Sequence, residues 1–182
     1  MKNNFFFLVL LLGINFLILS QVVANDQFNF DVTEAEIRES GNKFIGKNKG
    51  IATTKDGVII SANYFEYDKI LNKLVAKGNV KIEDKIKNII IYSENITYLK
   101  NLELIFTKGK SKSLNDGVII EGDIFEYNKK LNKIKAIGNV KIDDTIENHI
   151  IYSDEITYLR NQEEIFTKGK SKSLNDGVII EG

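Results

Sequence analysis

The chain has no cysteine, no proline and no tryptophan, and only one histidine and one methionine. Without cysteine there is no disulfide and no thiolate metal site. The single histidine, His149, lies in the run Asn148-His149-Ile150-Ile151 and has no carboxylate or histidine partner at a set spacing. Metal binding and imidazole-based catalysis both need such partners, so His149 reads as a solvated strand residue. Excess charge of either sign is also missing, with 25 Lys and Arg against 25 Asp and Glu. A nucleic-acid binder needs a concentrated basic footprint, and none is present. The lack of proline suits a chain of closely spaced ladder strands, since proline cannot donate to a ladder. After residue 24 no long helical periodicity appears.

The chain does have a leader and a repeat. Lys2 precedes an apolar run from Phe5 to Leu19, and Ser20-Gln21-Val22-Val23-Ala24 closes it in a small residue with Val22 at the −3 position. That pattern predicts a secretory signal peptide over 1–24, cleaved after Ala24, the alternative being an uncleaved membrane anchor; either way a domain over 25–182 lies outside the cytoplasm. Downstream, FTKGKSKSLNDGVIIEG at Phe106–Gly122 returns unchanged at Phe166–Gly182. The full duplication pairs 63–122 with 123–182, and 44 of the 60 positions are identical without a gap. Marker glycines at 78, 109, 138 and 169 are spaced 31, 29 and 31 apart, so the elementary unit is about thirty residues. A period of this size means stacked supersecondary units. Residues 25–54 read as a worn first unit, with Glu36-Ile37 thirty positions before Glu66-Tyr67, as terminal caps of repeat stacks usually are.

Inside each unit the hydrophobic period is two. Leu74, Ala76, Gly78, Val80 and Ile82 share one side, and Val75, Lys77, Asn79 and Lys81 share the other. The second copy repeats this with Ile134, Ala136, Gly138, Val140 and Ile142. Strand side chains alternate between faces, so the fold expected is all-β with one dry and one wet face. Asp56-Gly57 and Asn-Asp-Gly at 115–117 and 175–177 supply hairpin turns. The four marker glycines fall on the inner face and read as corners where the sheet folds over.

No catalytic residue emerges. Ser61, Ser93 and Ser153 have no base within sequence reach. The pairs Glu83-Asp84 and Asp143-Asp144 lack the dense oxygen-ligand pattern of a calcium loop and read as turn residues. The stretch Lys108-Gly109-Lys110-Ser111-Lys112, repeated at 168–172, puts alternate lysines on one face. Those lysines either meet phosphate groups or form a solvated face that discourages edge pairing. The inner stripes have two readings: closed layers make a core, and layers left ajar make an apolar trough for acyl chains.

The phrases Tyr67-Asp68 … Asn72-Lys73-Leu74-Val75-Ala76-Lys77-Gly78-Asn79-Val80-Lys81-Ile82 and Tyr127-Asn128 … Ala136-Ile137-Gly138-Asn139-Val140-Lys141-Ile142 resemble the repeat of the OstA-like family. That family comprises LptA-type periplasmic lipopolysaccharide-transport proteins and the N-terminal domain of LptD-type outer-membrane assembly proteins. The resemblance implies a β-jellyroll of stacked V-shaped antiparallel rungs. It implies an apolar groove for lipid A acyl chains, here Leu74, Ala76, Val80, Ile82, Ile105, Ile134, Ala136, Val140, Ile142 and Ile165. It further implies lipopolysaccharide and other Lpt-type modules as partners, the latter joined edge to edge, with self-association, and a periplasmic location serving outer-membrane assembly. No enzyme activity, cofactor, metal or nucleic-acid partner is expected. The absence of cysteine and of a following barrel departs from LptD and points to a truncated or locally duplicated relative. Alternative expectations are a structural or adhesive β-solenoid, or a fragment of an LptD-type protein without its barrel.

Overall fold

A computed structural model describes residues 27–175 and 178–182. The expected signal peptide lies outside them. The described chain is almost all strand: β1 (Phe28–Arg38), β2 (Lys43–Thr54), β3 (Val58–Ala62), β4 (Tyr64–Asp68), β5 (Lys73–Asp84), β6 (Ile89–Leu99), β7 (Leu104–Lys108), β8 (Ser111–Asn115), β9 (Val118–Gly122), β10 (Ile124–Asn128), β11 (Lys133–Asp144), β12 (His149–Leu159), β13 (Glu164–Asn175) and β14 (Val178–Glu181). Two three-residue 3-10 turns are the only helical pieces among the described residues.

All pairings are antiparallel, and they sort into two layers. The first half of β5 pairs with β4 and with the second half of β6, while its second half pairs with β3 and with the first half of β6. β11 does the same with β10, β9 and β12. Each long strand therefore crosses from one layer to the other, and the register slips where it crosses, between Lys77 and Val80 and between Ile137 and Val140.

The cause of the crossing is the Gly-Asn pair. Gly78 and Asn79 have φ of 76° and 50°, and Gly138 and Asn139 have 79° and 48°. Two successive left-handed residues turn the strand, a conformation that glycine adopts freely and asparagine tolerates. A Cβ on Gly78 would lie 2.8 Å from the Asn63 side chain, and one on Gly138 would lie 2.5 Å from Asp123 Oδ2. The corners expected from the sequence are therefore where the sheet folds. At the opposite ends of the strands, tight turns such as Asp116-Gly117 (φ 44° and 86°) form the mouth of the V. The lysine stretch is bent in the same way: Gly109 and Lys110 form a corner between β7 and β8, so Lys108 and Lys112 lie on different layers.

The two layers pack on each other. In the first, the inward row runs Phe44, Tyr67, Leu74, Tyr98, Ile105, Tyr127, Ile134, Tyr158, Ile165, so from Tyr67 on aromatic and aliphatic residues alternate across neighbouring strands. In the second it runs Ala52, Ile60, Ile82, Ile91, Ser113, Ile120, Ile142, Ile151, Ser173. At the β1 end, Phe28 reaches between layers and meets Tyr67 and Tyr98 edge-on at 5.0 and 5.6 Å, and Phe30 stacks on Phe44 at 4.1 Å. The first unit departs from the repeat. Ile37 stands thirty positions before the buried Tyr67 and pairs with Phe44, yet is 70% exposed, because β1 is the outermost strand and among the described residues no layer covers its far half.

Candidate functional site

The interior between the layers is the candidate site. All ten residues expected in a groove point into it. Nine of them are at most 2% exposed, and Ile165, on the edge half of β13, is half-buried. The interior is not uniformly apolar. Thr107, Ser111 and Ser93 form a hydroxyl chain, with Thr107 Oγ1 2.5 Å and Ser93 Oγ 3.2 Å from Ser111 Oγ. Ser113 is fully buried within the isoleucine row. The single histidine is half-buried, with Nε2 2.6 Å from Ser173 Oγ. Among the described residues no group of three or more His, Cys, Asp or Glu is arranged to hold a metal.

A charged cluster that sequence reasoning missed closes the mouth. Lys129 leaves the turn after β10 and is 6% exposed. Its Nζ lies 2.6 Å from Asp56 Oδ2, 3.1 Å from Glu103 Oε2 and 3.4 Å from Asp84 Oδ2. Lys100 Nζ adds a bond to Asp56 Oδ1 at 3.0 Å and pairs with Glu103, and Tyr98 OH donates to Glu103 at 2.8 Å. One turn further along, Arg160 donates to Asn132 Oδ1 and to the carbonyl of Lys87, both at 2.6 Å, and to Asn115. Lys129 and Arg160 both stem from first-layer turns and reach second-layer turns, so the mouth is bridged by ion pairs and hydrogen bonds. The acidic pairs do form turns, since Asp84 Oδ1 accepts from the amide of Lys87 at 3.0 Å. Asp84 is also 2% exposed beneath Lys129, which its position in a turn does not reveal. A signal for the cluster was present: Tyr-x-Lys/Arg recurs at 67–69, 98–100, 127–129 and 158–160, with the same 31, 29, 31 spacing as the corner glycines.

Burial opposes charge on Asp56, but hydrogen bonds from Lys129, Thr54 and Lys100 outweigh it and hold the carboxyl well below its usual range. Glu103 is likewise lowered: burial is overcome by Lys100, Tyr98 and Lys129. Burial alone would depress Lys129, and Asp56, Asp84 and Glu103 instead raise its pKa. Carboxyl groups lowered on folding stabilise fully above their unfolded value of about 4, and that stabilisation is lost as pH falls through the folded values. Thermal midpoints should therefore hold flat from pH 7 to about pH 5 and fall below about pH 4, modestly because both carboxyls are partly screened by water. A melt series across that range checks this, and Lys129→Met should flatten the drop.

No protein-family model matches the chain, and no curated protein matches it in sequence. Among solved structures it is similar to the crystal structure of LptH from Pseudomonas aeruginosa, described as the LptA-homologous periplasmic component of the conserved lipopolysaccharide transport device. The likeness has a TM-score of 0.58 at 14% identity and covers 70% of this chain and 95% of that one. This chain has the β-jellyroll fold of that protein.

Proposed function

We propose that this chain is a non-catalytic lipopolysaccharide-transport module of the periplasm that takes lipid A acyl chains between its two layers and passes them along the stack. One observation carries the reading: an inward stripe runs without a break from Phe44 to Ile165 between layers joined along a line of left-handed corners that includes Gly78-Asn79, Gly109-Lys110 and Gly138-Asn139. Such a body can part at its mouth and swing about its corners. Each methylene moved from water into the stripe contributes about 0.8 kcal/mol, so one acyl chain of ordinary length offsets the cost of releasing several ion pairs. The leader sequence and the periplasmic neighbour both support the location. Leu74, Ala76, Val80, Ile82 and their repeat partners are the contact residues in this reading. The edge of the second layer, where Val178, Ile179 and Ile180 are 57–66% exposed, would pair with a like module by strand addition.

A second reading, a packed structural scaffold, is favoured by one observation: the stripe residues meet each other in the closed state and leave little exposed surface. Retention of lipopolysaccharide by the purified protein separates the two. Intact lipopolysaccharide should be retained at least tenfold better than the same molecule stripped of its acyl chains. Equal retention of both, or of neither, would leave the scaffold reading.

A further inference from the structure

The outer face of the second layer carries a different feature. Its cross-strand row reads Lys81, Tyr92, Lys112, Glu121 and then repeats as Lys141, Tyr152, Lys172, Glu181, each residue paired in register with the next. The tyrosines are 39% and 44% exposed, each between two lysines. Four strand spacings separate them, about 19 Å at the usual interval between neighbouring strands. Depressions of about 680 Å³ at Tyr92 and about 600 Å³ at Tyr152 occupy equivalent places in the two copies. A third, of about 330 Å³, shares Lys110 with the first and Asn139 with the second. The three follow one another along the line of corners, linked by these shared residues, and together form a groove.

The chemistry of the groove restricts its occupant. Six lysines and five carboxylates line it, with Lys112–Glu121 paired at 2.9 Å and Lys172–Glu181 at 3.2 Å. A polyanion such as a nucleic acid would meet five carboxylates for six lysines, too little excess of positive charge to hold it. Donors and acceptors in nearly equal supply, with serine and asparagine between them, match a polyhydroxyl chain. The tyrosine faces offer a flat apolar platform with a polar tip, suited to the C–H face of a sugar ring. We infer that this groove binds a linear, uncharged glycan, with one sugar ring on Tyr92 and another on Tyr152.

The tyrosine row lies on the opposite face of the layer from the acyl-chain stripe, and the two meet only at the corners, where Val80 and Val140 border the depressions. Native electrophoresis through gels containing hydroxyethyl cellulose, mannan or soluble starch tests it. At least one of these should retard the protein. Tyr92→Ala or Tyr152→Ala should each weaken retardation several-fold, and the double variant should abolish it. Oligosaccharides long enough to span both tyrosines should compete at least tenfold better than short ones, because the second contact becomes intramolecular. These outward substitutions should leave the thermal midpoint and lipopolysaccharide retention unchanged, which separates loss of the site from loss of the fold. No retardation by any of the three polymers, equal retardation of the double variant, or equal competition by short and long oligosaccharides would overturn the inference. Retardation only by a polyanion such as polyphosphate would overturn it as well.

Discussion

Lys129→Met should lower the thermal midpoint by roughly 8 °C, the largest loss expected from any single charge in the molecule. Its side chain is 7% exposed and its ammonium sits among three carboxylates, of which Asp84 is 2% exposed. Removing one partner of a buried pair leaves the other charged and desolvated, which costs about 3 kcal/mol. Asp56 and Glu103 are 40% and 28% exposed, so their shares are screened by water and small. For a chain of this length each kcal/mol is worth about 2–4 °C. Adding Asp84→Asn removes the stranded charge but keeps an oxygen to accept from the Lys87 amide, and should recover at least half of the loss. Lys130→Met, one residue away on the exposed side of the same turn, should change nothing measurable. A loss for Lys130 as large as that for Lys129 would remove the mouth cluster from the account.

The second large effect compares two copies of the same residue. Ile120 and Ile180 both lie in the sequence VIIEG, yet one is 1% exposed and the other 66%. Ile120 is flanked by Ser113 on β8 and by Ile142 on β11, whereas Ile180 pairs only with Ser173 on β13. Ile120→Ala should cost about 3 kcal/mol, through lost burial and the cavity left behind. Ile180→Ala should stay within about 0.5 kcal/mol, as surface changes do. Chemical denaturation of both variants checks the contrast. A comparable loss at Ile180, growing with protein concentration, would mean that the β14 edge is covered in solution by another copy, as strand addition requires.

These two comparisons also mark what could be read from the sequence. Alternation is a local property, so Leu74, Ala76, Val80 and Ile82 could be placed on the inner face, and Gly78 and Gly138 at corners, from neighbouring residues alone. The mouth cluster depends on distant ones: Lys129 meets Asp56 across 73 positions. Only the recurring Tyr-x-Lys/Arg step hinted at it. Ile37 shows a further limit. The repeat pattern gives it an inward position, but the pattern does not say that β1 is the outermost described strand, with no described residue covering that half. Periodicity likewise tells which side chains face inward without fixing the distance between layers, so the trough and the packed core were equally compatible with the same stripe.

The central claim is that acyl chains lie between the layers. It is tested most directly by photolabelling, with a diazirine side chain placed at Val80 or Val140 on the stripe and at Glu66 or Lys135 on the outward face. After incubation with lipopolysaccharide and irradiation, the Val80 and Val140 proteins should carry covalently bound lipid and the Glu66 and Lys135 proteins should not. Equal labelling at all four positions, or labelling of the outward pair alone, would contradict it.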